Sequence, residues 1–137
     1  MNVKSPLETV ESIGMKDNIS VSVKTEYITS QLIENEKNYI FSYTISITNN
    51  SNKPIKLLSR YWLITDGDNK TSTVVGEGVI GKQPTIAPEK TYSYTSGCVL
   101  KTPVGTMQGH YQMLSDDKNL QQVEIPVFGL AQPLILN

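Results

Sequence analysis

The sequence predicts an all-β sandwich of seven to eight strands, and three observations predict it. Apolar side chains recur at every second residue in several short runs, which puts each set on one face of a strand. Clusters of Gly, Pro, Asn and Asp separate those runs, as turns between strands would. No stretch sustains the 3.6-residue period of an amphipathic helix. The 137 residues are the length of one domain, since domains commonly hold ~100–150 residues.

Residues 1–17 read as a flexible N-terminal tail, because their few apolar residues show no strand alternation. The domain is expected to span 18–137. Ile19, Val21 and Val23 alternate with Ser20, Ser22 and Lys24 on the first strand. Tyr39, Phe41, Tyr43, Ile45 and Ile47 alternate on the second, and Asn49-Asn50-Ser51-Asn52 turns the chain. The next strand runs from about Ile55 to Thr65. Its Trp62, the only tryptophan, suits the middle of a sandwich core. Asp66-Gly67-Asp68-Asn69 ends that strand as a tight turn. Thr73-Val74-Val75 begins another strand, and Gly76 to Pro88 reads as a long shaped loop. Strand character resumes at Thr91–Thr95. Met107, Gly109, Tyr111 and Met113 alternate next, and Asp116–Asn119 make a turn. Val123, Ile125 and Val127 alternate on the last strand, and the apolar stretch from Gly129 to Asn137 is expected to dock.

Composition narrows the function. Thirteen acids against twelve bases leave a net charge of −1. A general nucleic-acid binder needs a basic face, so that class is set aside. The one cysteine, Cys98, has no internal disulfide partner, which fits a reducing compartment. It sits on a strand and reads as a packed structural thiol. No apolar run approaches the ~20 residues of a membrane span. The N-terminus lacks the apolar core of a signal peptide, so the expected location is cytoplasmic.

Gly76-Glu77-Gly78-Val79-Ile80-Gly81 matches a G-x-G-x-x-G pattern. The dinucleotide-binding form needs a helix to follow, whose N-terminus holds pyrophosphate. Here Pro84 and Pro88 follow instead, and they forbid that helix. The glycines therefore either allow a bulge and a tight loop, or form a helix-free nest for a small anion with Lys82. Arg60 is the chain's only arginine. Its planar fork fits either an intramolecular pair, for instance with Glu77, or a ligand or partner. His110, the only histidine, alternates away from Tyr111 and is expected on the solvent face. No local set of His, Cys, Asp and Glu has metal-ligand spacing, and no nucleophile-base set can be assembled. Tyr92, Tyr94 and Tyr111 are left open between core and binding surface.

Five ordered blocks resemble the bacterial ApaG family. They are Arg60-Tyr61-Trp62-Leu63-Ile64-Thr65, the run Gly76 to Pro84, Tyr94-Thr95-Ser96-Gly97, the run Thr102 to Tyr111, and Ile125-Pro126-Val127-Phe128. The resemblance covers about 18–137. It implies an immunoglobulin/fibronectin-III-like sandwich and a role as an interaction module, with an indirect link to cobalt and magnesium resistance. Two departures stand out. Lys82 is found where many members carry an acid or an apolar residue, and Glu89 where a glycine commonly follows proline.

The function expected is a non-catalytic binding domain of the ApaG type. The alternatives are a pyrophosphate or nucleotide binder through the loop 76–81, or a direct divalent-metal binder. The expected contact residues are Arg60, Trp62, Gly76, Glu77, Gly78, Gly81, Lys82 and Gln83. No catalytic residue, resident metal or cofactor is expected. A protein partner is expected, with a small anion as the other candidate, and the chain is read as a monomer or a weak homodimer.

Overall fold

A computed structural model describes residues 8–13 and 19–133. In these residues nine strands form. They are β1 (Glu8–Ile13), β2 (Ile19–Ile33), β3 (Glu36–Asn49), β4 (Ile55–Asp66), β5 (Thr71–Glu77), β6 (Thr85–Ile86), β7 (Thr91–Leu100), β8 (Val104–Ser115) and β9 (Leu120–Ala131). One antiparallel sheet has the order β1-β2-β3-β7, and the other the order β5-β4-β8-β9, with β6 on the start of β4. The two sheets pack as a β-sandwich, the architecture the alternation predicts.

Seven strands fall where the alternation places them. The other two carry no alternation signal. β6 is a two-residue pairing inside the loop between Gly76 and Pro88. β1 lies inside the segment read as a strandless tail, and this corrects that reading over Glu8–Ile13. Alternation reports a buried face, whereas a ladder of backbone hydrogen bonds requires none.

The core lies between the sheets. Ile19, Val21 and Val23 of β2 and Phe41, Tyr43, Ile45 and Ile47 of β3 face Leu57, Met107, Met113, Val123 and Phe128 across it. Trp62 is 2% exposed. It meets Tyr43 edge-on at 5.4 Å and Phe128 at 5.8 Å between ring centroids, a favoured aromatic geometry. Cys98 is buried here, and desolvation pushes its thiol up to about 11. Asn49 is fully buried and satisfied, its Nδ2 donating to the carbonyls of Lys53 at 2.7 Å and Ile86 at 2.9 Å. Away from the core, the outer face of the first sheet pairs hydroxyls across strands. Thr44 meets Thr95, Ser46 meets Ser93 and Thr48 meets Thr91, each at 2.8 Å.

Bulges interrupt this regularity. The β2/β3 register shifts between Tyr27 and Thr29, the β4/β8 register between Leu57 and Ser59, and the β8/β9 register between Met107 and Gly109. Each extra residue switches which face the following side chains occupy. The last bulge corrects the expected alternation of Val123, Ile125 and Val127. Past it Phe128 and Leu130 turn inward, and Val127 is exposed. Gly109 stands at that bulge because a Cβ would lie 1.9 Å from the Tyr61 carbonyl oxygen.

Candidate functional site

The site starts at the bulge in β4. Leu57 and Trp62 both face the core, which two-residue alternation alone does not allow. The bulge around Leu58 restores the inward direction for Arg60, Trp62 and Ile64. Arg60 therefore points between the sheets, and Tyr61 and Leu63 point outward.

On β5 the residue opposite Arg60 is Gly76, and on β8 it is Tyr111. A Cβ on Gly76 would lie 2.9 Å from Arg60 Nη1 and 3.1 Å from its Cζ. The missing side chain is the space the guanidinium occupies. From there Nη1 donates to the Gly78 carbonyl at 2.7 Å and to the Glu77 carbonyl at 3.2 Å. Arg60 thus does contact Glu77, but through the backbone and not through the carboxylate. Among the described residues the ion pairs are Lys53–Asp117 and Lys101–Glu36.

The glycine loop is bound to its own chain. The Gly78 N–H donates to the Leu58 carbonyl at 2.8 Å, and Gln83 Nε2 donates to the same oxygen at 2.8 Å. The Leu57 N–H donates to the Pro84 carbonyl at 2.9 Å. Val79 and Lys82 exchange two backbone bonds, of 2.8 and 3.0 Å. Between them Ile80 has φ 48° and Gly81 φ 72°. Two positive φ values in a two-residue turn define type I′. Gly78 also needs its glycine, with φ 62° and a would-be Cβ 2.1 Å from the Lys82 carbonyl oxygen.

Asparagine or glycine usually fills the first position of such a turn. Here it is isoleucine, for which a left-handed backbone is a true outlier. Val79 beside it is fully buried and anchors the turn in the core. Ile80 is 58% exposed. The next turn repeats the theme more mildly. The Lys90 N–H donates to the Ala87 carbonyl at 3.1 Å, and Glu89 between them has φ 64°. That is where the family commonly carries glycine, and the backbone shows why.

Beneath the loop lies a polar cluster that the sequence left open. The hydroxyls of Tyr94 and Tyr111 are 2.5 Å apart, and both rings are buried. Desolvation pushes both hydroxyls well above the ordinary tyrosine range, against the weaker pull of the Arg60 charge. Tyr43 is raised for the same first reason, partly offset by a hydrogen bond with Ser96. All three tyrosines are neutral donors near pH 7. The other resolved shifts, in Cys98, Lys101, Glu36 and Asp117, also move their groups away from neutrality.

The remaining sequence candidates separate. Trp62 is in the core and takes no part in a surface site, a correction that follows from its inward position beside Arg60. Lys82 and Gly81 are exposed on the turn, and Gln83 serves as a backbone brace. His110 lies on the outer face of the second sheet, stacked on Tyr61 at 5.0 Å. It and Arg60 are thus on opposite faces. A shallow groove of about 350 Å³ runs beside His110, lined by Leu63, Glu124 and Pro126 among others. Another of about 420 Å³ lies at the far end, between Lys53 and Asp117. Among the described residues no three His, Cys, Asp or Glu side chains converge as a metal site would need. No helix in them is long and apolar enough to cross a membrane.

Fold and site together define a β-sandwich module with an arginine-clamped glycine loop at one corner. The model of the ApaG domain matches residues 29–115. The Protein ApaG of Salmonella arizonae is 45% identical over 119 residues, covering 87% of this chain and 95% of that protein. The Protein ApaG of Salmonella paratyphi B matches to the same extent, 45% over 119 residues. Among solved structures, a putative ApaA protein from Bordetella pertussis superposes with a TM-score of 0.79 at 38% identity, covering 96% of this chain and 98% of that one. A structural-genomics X-ray structure superposes with a TM-score of 0.82 at 49% identity, covering 84% of this chain and 87% of that one. The chain belongs to the ApaG family.

Proposed function

We propose that this chain is a non-catalytic binding module of the cytoplasm that presents the clamped loop 76–84 to a protein partner. One observation carries the reading. Ile80 is exposed, β-branched and held at φ 48° on a turn that the surrounding contacts over-determine. A left-handed β-branched residue costs about 1–3 kcal/mol. Such strain, kept at a surface position that packs on nothing, supports a role outside folding. A rigid apolar knob loses little entropy when it enters a partner's pocket. Val75 on the neighbouring strand is 73% exposed and widens the apolar patch. The link to cobalt and magnesium resistance that the family resemblance implies would then run through the partner.

The anion-binding alternative is less well supplied. A nest needs free amides, and those of Gly78, Val79 and Lys82 already donate within the chain. The Arg60 Nη1 is engaged on carbonyls as well.

Affinity capture from the native cell tests the reading. Ile80→Asp and Val75→Asp are expected to lose a partner that the unchanged chain and Val99→Asp retain. Equal capture by all four chains sinks it. Backbone amide shifts confined to residues 76–84 on adding millimolar pyrophosphate would favour the anion reading instead.

A further inference from the structure

The β2–β3 hairpin runs past the sandwich. On one side of it β7 pairs with β3 only from Thr48 to Tyr39. On the other, β1 pairs with β2 only from Ser20 to Thr25. β2 continues to Ile33. From Glu26 to Ile33 its outer edge has no strand against it among the described residues. At ~3.3 Å per residue this is roughly 26 Å of open ladder.

The arm is regular at its tip. Glu34 and Asn35, with φ 52° and 66°, close it as a two-residue turn. Glu36 there pairs with Lys101. The edge is nonetheless apolar. Ile28 is 51% exposed, Leu32 74% and Ile33 48%. Natural edges are usually blunted by lysine, proline or an inward charge. From Tyr27 to Ile33 this one has no charged residue and no proline. The bulge at Ile28 is its only protection. A two-stranded ribbon is marginal alone, and two joined edge to edge form a four-stranded sheet.

We infer that the free edge Glu26–Ile33 is a self-association surface, on which a second copy of this chain adds its own β2 antiparallel across a twofold axis. Charge favours this occupant. A symmetric antiparallel pairing within Tyr27–Ile33 sets no like charges opposite each other and brings Ile28 and Leu32 of both copies onto one seam. The other open edges suit it less. β9 carries Pro126 and a bulge, and β5 runs for seven residues and ends in the strained corner.

Sedimentation equilibrium or light scattering on the full chain, from about 1 μM to 1 mM, tests the inference. A dimer is expected within that range. Ile28→Lys with Leu32→Lys is expected to weaken it at least tenfold, and Val75→Lys on β5 to leave it unchanged. Hydrogen exchange on the unaltered chain gives a readout free of any folding defect. Amides within 26–33 are expected to gain protection as concentration rises. A monomer throughout the range overturns the inference. So does a dimer that the Val75 variant breaks and the arm variant does not. A chain that dimerises only after residues 1–7 are removed overturns it too, since its own N-terminal residues would then be the occupant.

Discussion

The corner at Ile80 and the arm at Leu32 both expose large apolar side chains, but they hold them in opposite ways. At the corner almost every polar group is spent. Arg60 clamps two carbonyls, Leu58 accepts two donors, and Val79 and Lys82 close on each other. The arm follows ordinary strand geometry and leaves one backbone edge unpaired. The corner offers a fixed side-chain shape, so recognition there depends on which side chain is present. The arm offers a ladder, so recognition there depends on backbone pairing and tolerates changes that keep the edge open. Apolar exposure alone does not distinguish these modes. The fate of the neighbouring hydrogen bonds does.

Substitutions can break or sharpen that contrast. The largest expected effect is Gly78→Ala. Its Cβ would collide with the Lys82 carbonyl at a positive φ. A loss of about 3 kcal/mol is expected in urea unfolding, with the corner disordered and the arm unchanged by amide NMR. Next is Arg60→Ala, which strips a charged donor from two carbonyls. It should cost about 2 kcal/mol. Arg60→Lys should recover only part of this, because an ammonium lacks the planar fork that lies over Gly76. Full recovery with lysine would show the clamp to be a simple point charge. The smallest effect has the opposite sign. Ile80→Asn relieves the left-handed backbone and should stabilise by about 1 kcal/mol, raising Tm by roughly 4 °C. A gain in stability together with loss of partner capture would separate strain from folding. A loss of stability would mean that Ile80 packs on something, and the corner would no longer stand apart from the arm.

Much of the frame was legible in the residues. Strands β3 and β8 follow two-residue alternation, and Trp62 sits in the core as its size and place suggest. The prolines after the glycine motif do replace a helix with a loop. The site was legible only as a set of unusual residues. Arg60 and Gly76 stood out separately, as the lone arginine and a motif glycine. Nothing local says that one fills the space the other leaves, because they meet only through the β4/β5 register. Trp62 was grouped with the surface candidates by its nearness to Arg60 in sequence. Tyr94 and Tyr111 were undecided, since a tyrosine in a strand suits a core or a surface until its facing partner is known.

The sequence by itself determined the all-β class, most strand positions, the turns and the absence of a helix after the glycines. These follow from local sterics and side-chain periodicity, which a few neighbouring residues decide. Tertiary structure alone decided which face follows each bulge, which amides the glycine loop keeps for itself, and where an edge strand runs out of partners. A bulge is one residue's mismatch between two strands, and an open edge is the absence of a third. Both depend on pairings between residues far apart in the chain, to which local periodicity is blind.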